Sequence, residues 1–266
     1  MIRFTKMQGL GNDYLYFWGE LDDPAAVSRK LSDRHFGAGS DGIVLISPPE
    51  KRDADFKMRI FNADGSEAMM CGNGIRCVGK YVYDKGYTDK TSLKIETLSG
   101  VRTLELEVRC GKVRRVTVDM GRAEVGEDKT LSLGDNSLTV TPVSVGNPHA
   151  VCFVPDAEAV PLSTIGPKVE HDPAFPGGVN AEFVTVLPDG SLRMRVWERG
   201  SGITMACGTG ACASVAAAVR KGFCRAGERV CVRLDGGDLF VAVDRDGRVT
   251  MTGPAEFVYE GEVSGC

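Results

Sequence analysis

The chain has 266 residues, with 32 Lys or Arg against 36 Asp or Glu, a formal net charge of −4. That mild, mixed acidity argues against a nucleic-acid-binding or membrane-surface protein, and a composition of 42% apolar and 26% charged residues excludes a disordered chain. The nine cysteines cannot all pair internally, and a chain of this length does not need disulfide staples, so reduced thiols in a cytoplasmic protein are expected.

The first residues, Met1 to Met7, show no apolar core of a secretory signal. Asp23-Pro24 opens a predicted helix that runs to about Phe36, with proline in the first turn. A second helix is predicted over Ile75–Tyr83, directly after Cys71-Gly72-Asn73-Gly74. Val101–Val108, Val113–Asp119 and Leu192–Trp197 alternate apolar and polar residues, the period of half-buried strands. Asp189-Gly190, Asp235–Asp238 and Asp246-Gly247 are hairpin signals, so roughly the last sixty residues read as an antiparallel meander. Another helix is predicted over Ala211–Val219, after Cys207-Gly208-Thr209-Gly210. It is small and apolar on nearly every face, as expected of a helix buried all round and threaded through a curved sheet. The longest uncharged stretch, Gly200–Val219, carries eight Gly, Ser or Thr and is too polar to span a membrane.

The two halves repeat. Phe61–Gly74 aligns with Trp197–Gly210 at a constant offset of 136, matching the aromatic, Met69 with Met205, and Cys-Gly-x-Gly. Gly11-Asn12 and Gly146-Asn147 lie 59 and 60 residues before their respective cysteines. The expected organisation is α+β: two pseudo-symmetric domains, each a curved, mainly antiparallel sheet around a central helix, with the active site in the cleft between them. The expected boundaries are 1–117 with 253–266, and 118–252.

Each Cys-Gly-x-Gly would sit at a helix N-terminus. There the first-turn N–H groups lack helical partners, and the helix dipole favours an anion such as a carboxylate. Gly72 and Gly208 let a ligand approach the backbone, and a thiol at the positive end of a helix is drawn toward thiolate. Two opposed thiols suit inversion of a Cα–H centre, in which a base acts on one face and an acid on the other. Nothing in the chain demands a cofactor. There is no Cys-x-x-Cys, no Rossmann fingerprint and no P-loop, and with three histidines no metal site is expected.

Plainer readings stand beside these. Cys77, Cys110, Cys152, Cys212, Cys224 and Cys231 are read as small core residues, and Cys266 as a solvated tail residue. Asn12 and Asn147 are either turn residues or site residues, and their matched positions favour the site. His149 reads equally as a structural histidine. Glu198-Arg199 is either a surface ion pair or a fork for a second carboxylate.

Met7–Asp13, Phe61–Glu67 with Cys71–Gly74, Gly146–His149, and Glu198–Gly200 with Ala206–Ala211 closely resemble the diaminopimelate epimerase family, in order and over essentially the whole chain. The resemblance implies a cofactor-independent isomerase that interconverts LL- and meso-diaminopimelate for lysine and peptidoglycan precursor synthesis. It implies Cys71 and Cys207 as the catalytic thiols, and Gly72-Asn73 and Gly208-Thr209 as the groups holding the reacting carboxylate. Asn12, Asn62, Asn147, Asn180, Glu198 and Arg199 match substrate-holding positions, His149 and Glu198 match residues that tune the thiols, and Tyr259 matches a dimer-interface position in a homodimer. Two positions depart from some members: Gly42 stands where they carry Gln, and Ile203 where they carry Glu. The alternatives are a racemase for another amino acid such as histidine, and a thiol redox protein.

Overall fold

The computed structural model describes residues 1–134 and 137–264, so Cys266 lies outside the described residues. The chain divides into two compact units, Met1–Val118 with Gly253–Cys266, and Asp119–Thr252.

In the first unit, strands Ile2–Gly9 and Asn12–Trp18 form an antiparallel hairpin. Leu10 and Gly11 make its turn with φ of 60° and 84°, the double positive φ that a tight hairpin requires. Helix α1 (Pro24–Ser32) follows, capped by the Asp23 carboxylate on the Ala26 amide. It stops at Ser32, short of the expected end near Phe36. Asp33 leaves helical geometry at ψ 126° and turns its carboxylate to the amides of His35 and Phe36, leaving Phe36 exposed. The chain returns as Gly42–Ser47, parallel to Asn12–Trp18, and Phe56–Asn62 lies antiparallel beside it. The short strand Glu67–Ala68 leads into helix α2 (Gly72–Asp84). Ser92–Thr97 then pairs parallel with Phe56–Asn62, and Gly100–Arg109 and Lys112–Arg122 complete an antiparallel run. The last strand, Glu256–Val263, follows the meander of the second unit but pairs antiparallel with Ile2–Gly9 in the first unit.

Central strands of this unit are covered on both faces. Leu15, Phe17, Ile43 and Leu45 pack with Val27 and Leu31 of α1. The alternate residues point the other way, and the Tyr16 hydroxyl donates to the Gly74 carbonyl of α2 at 3.2 Å.

The second unit repeats this order. Ser137–Ser144 and Pro148–Phe153 form the hairpin. Helix α3 (Leu162–Glu170) precedes Asn180–Val186, which runs parallel to Pro148–Phe153 and antiparallel to Leu192–Glu198. Gly202–Ile203 leads to helix α4 (Gly208–Arg220). Arg229–Leu234 then pairs parallel with Leu192–Glu198 and continues antiparallel into Gly237–Val243 and Arg248–Gly253. Parallel and antiparallel pairings fall at the same places in both units. Helix α4 touches Ser137–Ser144, Pro148–Phe153, Asn180–Val186, Leu192–Glu198 and Gly237–Val243, so the sheet curves around it. Its run from Ala211 to Ala218 is wholly buried, and only small side chains permit that many close strands.

Cys77, Cys152 and Cys212 are buried as expected of core residues. Cys110 is exposed instead, in the turn between two strands at φ 52°, and Cys224 and Cys231 are half-buried. Among the described residues no helix is long and apolar enough to cross a membrane.

Candidate active site

The two cysteines at the offset of 136 are both helix N-caps. Cys71 is extended (φ −133°, ψ 120°) and its Sγ accepts from the Gly74 amide at 3.4 Å; Cys207 is extended (φ −112°, ψ 109°) and accepts from the Gly210 amide at 3.4 Å. Helices α2 and α4 therefore begin at Gly72 and Gly208, three residues before the predicted starts. The Cys-Gly-x-Gly segments are the first helical turns themselves: the Gly74 and Gly210 amides go to the capping sulfurs, and the helix end ahead of them is where an anion would be served.

Around Cys71 the neighbours come from one hairpin and one loop. The Cys71 thiol donates to Asn12 Oδ1 at 3.4 Å, and Asn12 Nδ2 donates to Asp41 Oδ2 at 2.7 Å. Arg34 bonds both Asp41 and Asp13, and Lys6 lies 2.7 Å from Asp13, so two carboxylates and two cations fix the Asn12 strand. Burial pushes the Asp13 carboxyl up, but Arg34 and Lys6 outweigh it and hold the group below its usual value. Burial, then the charge of Cys71, push the Tyr14 hydroxyl well above its usual value. Arg76, wholly buried, donates to the carbonyls of Gly72 and Pro254 and braces the start of α2. Asn62 ends its strand opposite Gly42 and donates to Ser66. Tyr259 stands apart from this group: its hydroxyl donates to the Ala38 carbonyl, and its ring meets Phe4 edge-on.

Around Cys207 the polar network is denser. Asn147 Nδ2 donates to Thr209 Oγ1 at 3.3 Å, and Thr209 Oγ1 lies 3.6 Å from Cys207 Sγ. His149 Nε2 bonds Asn147 Oδ1 at 3.0 Å, and His149 Nδ1 lies 2.6 Å from Glu182 Oε1. Asn180 is the register partner of His149; its Nδ2 holds the Pro148 carbonyl and its Oδ1 holds the Arg199 amide. Glu198 accepts from the Thr204 hydroxyl, and the Arg199 guanidinium donates to the Gly177 carbonyl. Glu170 accepts from Trp197 Nε1 and the Gly200 amide, which hold its carboxyl below the usual range and pin the loop after Arg199. Burial first, then the carboxylates of Glu198 and Glu182, push the Cys207 thiol well above its ordinary value, against the opposing hydrogen bonds of Thr209 and the Gly210 amide.

Within the first unit the structure brings Cys71, Gly72, Asn73 and Asn12 together. Within the second it gathers Cys207, Gly208, Thr209, Asn147, His149, Asn180 and Glu198-Arg199. Sequence reasoning missed Tyr14, Asp41, Glu170 and Glu182. Glu182 had a signal: a lone carboxylate in the apolar run Asn180–Val186, on the same face as Asn180 by the strand period of two. Tyr14 had none, since an aromatic in an apolar strand reads as core. Among the described residues no cluster of three or more His, Cys, Asp or Glu is arranged to hold a metal ion.

Comparison with known proteins decides the family. The diaminopimelate epimerase family model matches residues 4–126 and 141–258. The chain belongs to the diaminopimelate epimerase family. Curated diaminopimelate epimerases include one from Phocaeicola vulgatus, 54% identical over 98% of each chain, and one from Acetivibrio thermocellus, 51% identical over 98% of each chain. A solved structure of a probable proline racemase from Agrobacterium radiobacter shares the fold, with a TM-score of 0.78 at 19% identity over 99% of this chain and 93% of that one. Within the diaminopimelate epimerase family, the Gly42 departure has a steric cause here. A Cβ at Gly42 would lie 2.1 Å from the Phe61 carbonyl oxygen, so this backbone admits no Gln side chain. Ile203, the other departure, is exposed, and nothing in the structure explains it.

Proposed function

We propose that the protein epimerises diaminopimelate, interconverting its LL and meso forms without a cofactor, with Cys71 and Cys207 as the two acid/base groups. The observation that carries the reading is the duplicated helix cap: two thiols, each the N-cap of a helix whose first turn begins with glycine. One thiolate takes the proton from the substrate Cα, and the electron pair moves toward the α-carboxylate. First-turn amides at Gly72-Asn73 and Gly208-Thr209 stabilise the charge developing there. The other thiol then gives its proton to the opposite face of the carbon. The first cysteine ends protonated and the second ionised, so the reverse direction exchanges the roles.

Asn12, Asn62, Asn147, Glu198 and Arg199 hold the substrate in this reading, and Asn180 acts by holding the Arg199 backbone. His149 and Glu198 tune the thiols. A second copy of the chain meets the strand that carries Tyr259, which sedimentation of the protein and of Tyr259→Arg tests: a dimer and a monomer, respectively. A reducing cytoplasm suits an enzyme that needs both thiols free.

The deciding experiment is turnover of LL-diaminopimelate in deuterated buffer without added cofactor, beside a panel of L-amino acids. Deuterium should enter the product Cα, and Cys71→Ala and Cys207→Ala should each lose at least about a thousandfold in kcat. Full activity in either variant refutes the two-thiol reaction. Turnover of histidine or proline in place of diaminopimelate refutes the substrate.

A further inference from the structure

We propose that Glu182 is a positioning residue for the epimerisation: its carboxyl shares one proton with His149 Nδ1, so the second ring hydrogen stays on Nε2 toward Asn147, which sets the hydrogen bonds reaching Cys207. The inference rests on the epimerase reading above, and its first readout is independent of turnover.

Four links run from Glu182 to the thiol. Glu182 Oε1 meets His149 Nδ1 at 2.6 Å, a separation at which the two share a proton. Asn147 Oδ1, 3.0 Å from His149 Nε2, can only accept, so Nε2 carries a hydrogen. With its oxygen committed to His149, the Asn147 amide presents Nδ2 to Thr209 Oγ1 at 3.3 Å. That leaves the Thr209 hydroxyl hydrogen available to Cys207 Sγ, 3.6 Å away, whenever the sulfur is a thiolate. Each donor in this order points toward the sulfur. Were His149 protonated on Nδ1 alone, Nε2 would confront the Asn147 oxygen lone pair to lone pair, and the amide would have to flip and turn its oxygen to Thr209.

Three observations separate this from incidental packing. The Glu182 and His149 side chains are both fully buried, a costly place for either group without the other. Glu182 Oε2 has no hydrogen-bond partner among the described residues, so the carboxyl is held by its histidine bond and not by a general polar cage. The matching position in the first unit is Val44, and the residue matching His149 there is Tyr14, so the repeat scaffold does not itself require a carboxylate.

The test uses the full-length enzyme with isotope-labelled histidine, assigning the His149 ring by its loss in His149→Gln. Magnetic resonance of the wild type should show Nε2 protonated and bonded. Glu182→Val should strip Nδ1 of its bonded proton, let the ring sample both tautomers, and lower kcat in both directions by at least about tenfold, with KM within about threefold of wild type. Glu182→Gln should keep the Nε2–H tautomer, because the Gln amide can donate to Nδ1, and should keep kcat within about threefold. A wild-type His149 with a bare Nε2, a fully active Glu182→Val, or a Glu182→Gln as impaired as the valine variant would each overturn the proposal. Should the valine variant not fold, the wild-type spectrum and the Gln variant still decide. If the wild type turns over no diaminopimelate, the functional reading fails while the spectra still test the placement of His149.

Discussion

The matched glycines Gly74 and Gly210 should respond oppositely to alanine. Both occupy the third residue of their helix, and neither has a positive φ. A Cβ on Gly74 would lie 3.3 Å from Met58 Cε and 3.5 Å from Cys71 Cβ. The first is the free end of a thioether that shifts easily and the second is ordinary contact. Removing a helical glycine also lowers unfolded-chain entropy, so Gly74→Ala should fall between about 0.5 kcal/mol destabilising and about 1 kcal/mol stabilising. A Cβ on Gly210 would lie 2.7 Å from Glu182 Oε1 and 3.2 Å from both Cβ and Sγ of Cys207. A carboxylate tip would ordinarily swing aside, but this one has no exposed surface and is tied to His149 at 2.6 Å. The overlap must therefore be relieved by moving Glu182 off His149 or Cys207 off its cap, a cost of about 1–3 kcal/mol that the entropy gain does not offset. Urea unfolding of both variants, with kcat at one pH, reads the difference: Gly210→Ala destabilised and at least about tenfold slower, Gly74→Ala close to wild type. Equal effects at the two positions, or a harmless Gly210→Ala, would refute the claim that Glu182 is locked against the start of α4.

Gly42→Gln, which restores the residue of some relatives, should be strongly destabilised, by more than about 3 kcal/mol in urea, because the new Cβ meets the backbone of Phe61 at 2.1 Å. A stable variant with a lower KM for diaminopimelate would show that the strand can shift to admit the side chain. Alkaline pH should weaken the fold. Burial pushes the Cys77 thiol to about 11 and the Cys152 thiol to about 12, against 9.0 for a free thiol. Unfolded thiols ionise above pH 9 while the folded ones stay protonated, so stability is intact below 9 and falls until the folded values are reached. For Cys77 alone the loss is about 3 kcal/mol, and a urea midpoint that stays flat from pH 8 to 11 would contradict it. Alkylation of Cys207 by iodoacetamide, followed on its peptide, should keep accelerating through pH 9, since burial and the Glu198 and Glu182 carboxylates raise its pKa above the ordinary 9.0. A rate that levels off by pH 8 would contradict that electrostatic picture, and Glu198→Gln should move the curve to lower pH.

Local patterns were legible in the sequence because they act locally. Period-two alternation marked Gly100–Arg109, Lys112–Arg122 and Leu192–Glu198, and Asp189-Gly190 marked the turn before the last of them. The Cys-Gly-x-Gly repeat marked both thiols because spacing survives when side chains diverge. What stayed hidden depends on register between distant strands. Only the parallel pairing of Pro148–Phe153 with Asn180–Val186 sets Glu182 behind His149, and only the turn at Asp33 brings Arg34 to Asp41 and thus to Asn12. Helix starts were read three residues late because glycine is a poor helix former, whereas in a first turn its missing Cβ leaves room for the capping sulfur.

The divergence of the two copies bears on how a two-thiol reaction can run. In the proposed two-thiol reaction, duplication alone would make two helix ends of equal polarity with two equivalent sulfurs and no preferred place for the single proton. The scaffold positions that surround the thiols differ between the units. Tyr14 corresponds to His149, Gly42 to Asn180, Val44 to Glu182, and Asn62 to Glu198. Every one of these exchanges puts the more polar or ionisable group on the Cys207 side, apart from the neutral Tyr14, itself pushed further toward its protonated form by burial. The buried Glu182 and the half-buried Glu198 beside Cys207 oppose its ionisation, while Thr209 and the helix amide support it. A sulfur held between opposed influences of that kind can give up and regain a proton with a small change in free energy, which a reversible epimerisation requires in both directions. The topology of the fold is what was duplicated, and the proton chemistry is what each copy specialised by a few substitutions on the strands behind its cysteine.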